Sequence, residues 1–199
     1  MKKLIGIVIL FFAQAIFAHD NIEKIIIIRH GEKPFLEIGQ LNCKGLNRSL
    51  LLPVYFKQHF SKPDYIFAPN PSIKITRPLT HFQYSYIRPL ATIEPTAISL
   101  DMPVNTQIGF NQPEQLMKTL LEKKYHRSVI YVAWEHRNIV DLAHFLLSQF
   151  NNNSTVPFWS PTNYDMVFIF TIDWSKNPAT INFTVAGEGF KNISNKCPG

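Results

Sequence analysis

Beyond its first 18 residues the 199-residue sequence has no block of five or more like charges, no internal repeat and no long low-complexity tract. These absences argue against a nucleic-acid-binding surface, a repeat solenoid and a disordered chain. Only two cysteines are present, with no Cys-x-x-Cys and no metal-like Cys/His spacing, so a zinc site is not expected. The longest apolar run, Leu4 to Phe12, falls short of the roughly 18–20 residues that a bilayer span needs. What remains is 46% hydrophobic residues in a length that fits one domain, or at most two small ones. Such a chain can bury a core without metal or disulfide staples.

The formal net charge of +6 shrinks once its N-terminus is considered. Lys2 and Lys3 precede the apolar run, and the small residues Ala13, Ala15 and Ala18 follow it. This layout predicts a secretory signal peptide over residues 1–18, cleaved after Ala18 or after Ala15; an uncleaved anchor is the alternative. Without Lys2 and Lys3 the balance is 18 basic to 14 acidic residues, a net +4. That mild excess suits a small anionic substrate. The expected location is periplasmic or secreted. Export would permit Cys43 and Cys197 to pair, with two free buried thiols as the alternative.

Residues 24–28, Lys-Ile-Ile-Ile-Ile, read as a strand buried on both faces, as in a parallel sheet covered by helices. A helix is expected over 43–59, with Leu46, Leu50, Val54 and Phe56 inward and a disturbance at Pro53. Asp64 to Ala68 reads as a short strand. Residues 73–87, with Arg77, His81, Tyr84 and Tyr86, read as a loop insertion over the surface. A helix from Pro89 to Leu100, a short strand at Val104 to Gln107 and a helix over 113–124 follow. Ser128 to Ala133 reads as a second buried strand, 138–149 as an amphipathic helix, and 166–172 with 180–185 as a hairpin. The alternation predicts an α/β fold, a three-layer α/β/α sandwich with a mostly parallel mixed sheet, forming a single domain over 19–199. Ligands in such sheets bind beyond the carboxyl ends of the strands. His30 and His136 each follow one of those ends.

Arg29-His30-Gly31 directly after a buried strand carries the chemistry. A neutral imidazole is a competent nucleophile near pH 7. An adjacent arginine can hold an anionic phosphoryl group through two hydrogen bonds, and glycine permits close backbone approach. A second histidine and a second arginine would complete a clamp, and phosphoryl transfer needs chiefly positioning and charge stabilisation.

The sequence resembles the histidine phosphatase superfamily, which includes phosphoglycerate mutases and histidine acid phosphatases. The likeness runs through Ile25-Ile26-Ile27-Ile28-Arg29-His30-Gly31-Glu32-Lys33-Pro34 and Gly39-Gln40-Leu41-Asn42-Cys43-Lys44-Gly45. It continues through Asp64-Tyr65-Ile66-Phe67-Ala68-Pro69, Arg88-Pro89-Leu90-Ala91-Thr92 and Val132-Ala133-Trp134-Glu135-His136. The resemblance implies a phosphoglycerate mutase-like fold. It implies His30 as nucleophile and transient phosphohistidine, with Arg29, Arg88 and His136 binding the phosphoryl group. Arg77, also followed by proline, competes with Arg88 and is the weaker choice, because Thr92 lies four residues beyond Arg88. Asn42 could line the pocket, although capping the next helix is its simpler use.

The general acid departs from the family's patterns. Arg137 stands where the acid phosphatase branch places an aspartate after its second histidine. Glu135, Glu114 and Glu32 are the candidates, in that order. The expected activity is hydrolysis of a phosphate monoester on a small phosphorylated substrate. The alternatives are a phosphate-ligand binding protein of the same fold or a mutase-type phosphotransferase. No metal or organic cofactor is implied, since the clamp is made of protein cations.

Overall fold

The computed structural model describes residues 21–35, 38–76 and 81–199. The expected signal peptide and Arg77 therefore lie outside the described residues. Among the described residues, seven strands and four helices occur in the order β1 (Ile22–Arg29), α1 (Cys43–His59), β2 (Tyr65–Phe67), β3 (Lys74–Thr76), β4 (Gln83–Ser85), α2 (Arg88–Leu100), α3 (Pro113–Leu120), β5 (Val129–Trp134), α4 (His136–Gln149), β6 (Met166–Asp173) and β7 (Thr180–Gly187). A single 3-10 turn, Lys123–Tyr125, separates α3 from β5. No helix of the described residues is long and apolar enough to cross a membrane.

Five strands form one sheet in the order β2-β5-β1-β6-β7. β2, β5 and β1 are mutually parallel, β6 is antiparallel to β1, and β7 is antiparallel to β6. Four of the five strands thus run the same way. The β-branched run of β1 is central for a clear reason. Its side chains alternate between two apolar layers, and both are filled. Ile25 and Ile27 join one cluster with Leu116, Leu142 and Phe168, beneath α3 and α4. Ile26 and Ile28 join the other with Leu52, Phe56 and Ile93, beneath α1 and α2. The result is the expected three-layer α/β/α sandwich with a mixed, mostly parallel sheet.

Three local readings change. α1 buries Gly45, Arg48, Ser49, Leu52, Tyr55 and Phe56, while Leu50 and Val54 are exposed. The buried stripe follows helical spacing, but it contains an arginine, and an apolar pattern alone selects the neighbouring stripe. Arg48 is admitted because it forms paired hydrogen bonds to Glu32, from Nε at 3.0 Å and Nη2 at 2.9 Å, and a further ion pair to Glu188. Such a buried cation is tolerated only when its partners are in place. Secondly, the 73–87 segment carries the paired strands β3 and β4 rather than irregular loop. Thirdly, Val104 to Gln107 contributes only an isolated bridge between Asn105 and Phe67. The hairpin of β6 and β7 forms as its turn residues suggest.

Cys43, the first residue of α1, is joined to Cys197 by a disulfide that ties the C-terminal tail to this helix. The side chain of Asn47 reinforces the tie by donating to the carbonyls of Ser194 and Lys196. Because the closed loop is long, replacing both cysteines by serine is expected to lower stability by about 2–5 kcal/mol in urea denaturation.

Glu23, near the start of β1, is fully buried, and burial pushes its carboxyl up to about 8 although the Trp174 indole donates to it at 2.8 Å. The folded protein therefore holds a proton here that the unfolded chain loses near pH 4.5. Stability from this group is complete below that pH and is lost as pH rises towards 8. Glu23→Gln keeps a neutral hydrogen-bonding side chain without the titration. It is expected to match wild type near pH 5 and exceed it by roughly 2 kcal/mol at pH 8.5. A pH-independent difference between the two proteins would overturn this assignment.

Candidate active site

The register of β1 against β5 assembles the site. Arg29 lies opposite Trp134 in the parallel ladder, and the His30 amide donates to the Trp134 carbonyl at 3.1 Å. Both chains leave the sheet at the same edge, so His30 and His136 emerge side by side. His136 opens α4, and Arg88 opens α2 with Pro89 behind it, a residue suited to a first turn.

The loop after β1 is held by close packing against α1. A methyl group on Gly31 would meet the backbone of Gly45 at 2.9 Å, and one on Gly45 would meet the Glu32 backbone at 2.4 Å. Neither glycine can acquire a side chain without displacing backbone. Thr92 locks the same loop to α2. Its hydroxyl accepts from the Gly31 amide at 2.8 Å and donates to the Arg88 carbonyl at 2.7 Å.

His30 is buried, and its Nδ1 lies 2.7 Å from its neighbour's carbonyl, Gly31 O. A carbonyl can only accept, so Nδ1 carries the proton and Nε2 presents a lone pair. Burial, then the charge of Arg88, then Arg29 and His136 push its pKa well below the ordinary histidine value, against the raising effect of the Gly31 bond. The imidazole is therefore neutral and nucleophilic at Nε2.

Two guanidinium groups flank it. Arg88 is buried, its Nε and Nη1 have no hydrogen-bond partner among the described residues, and its guanidinium lies 4.7 Å from the centre of the Tyr86 ring. Arg29 is held more tightly. Its Nη1 donates to the carbonyls of Pro161 and Asn163, at 2.8 and 2.7 Å, and more weakly to Ser160. Its guanidinium stacks 3.9 Å from the Tyr164 ring centre, and its Nε is buried without a partner. Only part of Arg29 is thus left to meet a ligand. Nδ1 of His136 lies 2.6 Å from Glu135 Oε1, out of line for a directed hydrogen bond.

The remaining candidates fall elsewhere. Asn42 caps α1: its Oδ1 accepts from the Gly45 amide, and its Nδ2 donates to the Lys33 carbonyl. Glu135 caps α4 through Oε2, which accepts from the amides of Arg137 and Asn138. Although burial opposes it, the His136 contact and those amides hold the Glu135 carboxyl below its ordinary range. Glu32 has both oxygens on Arg48, which keeps it ionised. Glu114 lies in the first turn of α3, in a cavity lined by Asn111, Gln112 and Lys118 that includes none of the clamp residues. His81 is exposed, and Trp134 and Trp159 are packed in the core.

Sequence reading does not single out Tyr86 or Tyr164. Their rings lie 5.9 and 6.2 Å from that of His30. The aromatic content of the insertion hints at the first; nothing local marks the second. Tyr164 also lines a cleft of about 400 Å³ with Glu32, Lys44, Arg48, Asp165 and Lys191.

No protein-family model and no curated protein matches the sequence. Solved structures do match its fold. One is the protein histidine phosphatase SixA complexed with tungstate, at a TM-score of 0.55 and 14% identity, covering 83% of this chain and 97% of that one. Another is a mycobacterial glucosyl-3-phosphoglycerate phosphatase, at a TM-score of 0.51 and 10% identity, with the same coverage of 83% and 97%. The chain therefore has the α/β fold of the histidine phosphatases.

Buried donors without partners create an affinity for a tetrahedral oxyanion. At 100 times its dissociation constant, inorganic phosphate is expected to stabilise the protein by about 2.7 kcal/mol, read as a rise in Tm. Arg88→Ala is expected to abolish that rise, and an unchanged rise would remove Arg88 from the site.

Proposed function

We propose that this protein is a phosphatase that hydrolyses a small phosphate monoester through a phosphohistidine formed on His30. One observation carries the reading: a neutral imidazole, tautomerically set with Nδ1 on the Gly31 carbonyl, stands beside Nε of Arg29 and Nε and Nη1 of Arg88, which have no hydrogen-bond partner among the described residues. In this reading Arg88, the unengaged part of Arg29, and His136 hold the equatorial oxygens while Nε2 attacks phosphorus in line. The cations stabilise charge where it develops, which is the main demand of phosphoryl transfer. Water then attacks the phosphohistidine and returns His30 to its resting form. No metal or organic cofactor takes part.

The protein is further proposed to be exported, with residues 1–18 as the signal. The Cys43–Cys197 disulfide supports an oxidising compartment. The strands β3 and β4 and the cleft beside Tyr164 are the proposed determinants of substrate choice, since loops around a rigid sheet edge usually set specificity. A binding protein with little turnover is the second reading, favoured by the engagement of Glu135 in capping and of Glu32 with Arg48.

Hydrolysis of p-nitrophenyl phosphate by the mature protein separates the two. His30→Ala is expected to lower kcat/KM by at least ~10³-fold, as loss of a nucleophile does. Rapid mixing with substrate is expected to trap an acid-labile phosphoryl group on His30. Equal rates for wild type and variant would eliminate the catalytic reading; oxyanion-induced stabilisation without turnover would establish the binding one.

A further inference from the structure

We propose that the Tyr86 hydroxyl is the general acid of the reaction, delivering a proton to the departing oxygen. This rests on the phosphohistidine reading above and supplies the group that reading lacks. A leaving alkoxide needs a proton from a positioned acid. The three carboxyl groups suggested by sequence are otherwise placed. Glu32 is bound by both oxygens to Arg48, Glu135 is ionised as helix cap and His136 partner, and Glu114 lies in the first turn of α3 in a cavity that no clamp residue lines.

Tyr86 has the opposite character. It follows β4 directly and stands two residues before Arg88. It is buried, and its hydroxyl donates to no acceptor among the described residues. A buried phenol O–H normally finds a partner, so an orphaned one marks a place left for a ligand atom. The ring meets that of His30 edge-on at 5.9 Å, is braced by Phe110 at 4.9 Å, and carries the Arg88 guanidinium 4.7 Å from its centre. Burial, and in the same sense the Glu135 charge, raise the phenol's pKa, which keeps the proton in the resting enzyme, while Arg88, by its charge and by donating to the phenol oxygen, and Arg29 act in the opposite sense and favour the phenolate.

The step balances without any further reactant. As His30 Nε2 bonds to phosphorus, the P–O pair of electrons passes to the leaving oxygen, which takes the Tyr86 proton. The phenolate rests beside Arg88. Water then attacks phosphorus and gives a proton to the phenolate. The P–N electron pair returns to Nε2. The products are an alcohol and inorganic phosphate, with Tyr86 again protonated.

The test is the loss in kcat/KM on Tyr86→Phe along a series from p-nitrophenyl phosphate through phenyl phosphate to an alkyl phosphate. An acid matters more as the leaving group becomes more basic. The loss is expected to be smallest for p-nitrophenyl phosphate and ~10²-fold larger for the alkyl ester. Phosphate stabilisation of the variant reports that its clamp is folded. Equal losses along the series, or none, would overturn the proposal. Should the variant fail to fold, 3,5-difluorotyrosine at position 86 keeps the shape and makes the phenol more acidic. The basic limb of kcat for the alkyl ester is then expected to move to lower pH, and an unmoved limb would overturn the proposal. A wild type that forms no phosphohistidine would instead defeat the underlying reading. A wild type that forms it with losses independent of leaving group defeats only the role of Tyr86.

Discussion

The in-register parallel pairing of β1 with β5 is the constraint on which the site depends. Ile28 faces Ala133 and Arg29 faces Trp134, so both strands end at the same edge of the sheet. A slip of one residue would turn the isoleucines of β1 to the wrong layers and would carry His30 away from His136. Ile25 to Ile28 fill both core layers, while the buried polar groups at the two ends of the strand, Glu23 and Arg29, have fixed partners in Trp174 and in the carbonyls of Pro161 and Asn163. The packing of these layers against the paired strands also brings His30 and His136 of the candidate site to one end of the sheet. α1 and α2 are then fastened to the strand end by the Gly31–Gly45 contact and the Thr92 hydroxyl.

Polar groups are distributed very unequally around this frame. Four of the eight buried side-chain polar atoms without a hydrogen-bond partner among the described residues belong to Arg29, Tyr86 and Arg88. An unmet buried donor costs roughly 1–3 kcal/mol, so a cluster of them is expensive unless something outside the chain satisfies it. By contrast, the equally buried Arg48 is saturated by Glu32 and Glu188, and its role is to hold α1 against the loop after β1. Two arginines of similar burial thus have different meanings, and their partners separate them.

The structure also shows why the familiar acid is hard to find in this chain. Glu135 is adjacent to His136, as sequence suggests, yet the turn from strand to helix hands its carboxylate to two backbone amides. A carboxylate at a helix N-terminus is favoured as an anion, the wrong form for giving a proton. A buried phenol next to a guanidinium has the complementary property, since it is neutral at rest and sheltered when charged.

Much of this was legible in the residues themselves. The β-branched run before Arg29, the helix-opening prolines and the alternation of segments point to a covered, mostly parallel sheet with both histidines at one end. Short-range pattern suffices there because strand and helix are dictated by neighbours two to four residues apart. It also suffices for Asn42, whose capping needs only the next three residues. It fails where a group's state depends on distant chain. Nothing near Arg48 in sequence announces its ion pair with Glu188, 140 residues away. Nothing near Tyr164 announces that the fold lays it on Arg29, and Tyr86 reads as part of the insertion until it lies against His30. The residues alone carry the two apolar layers, the mostly parallel course of the strands and the placing of His30 and His136 at strand ends. Only tertiary structure decided which charges are spent and which are open, because hydrogen-bond satisfaction is a property of what surrounds a side chain.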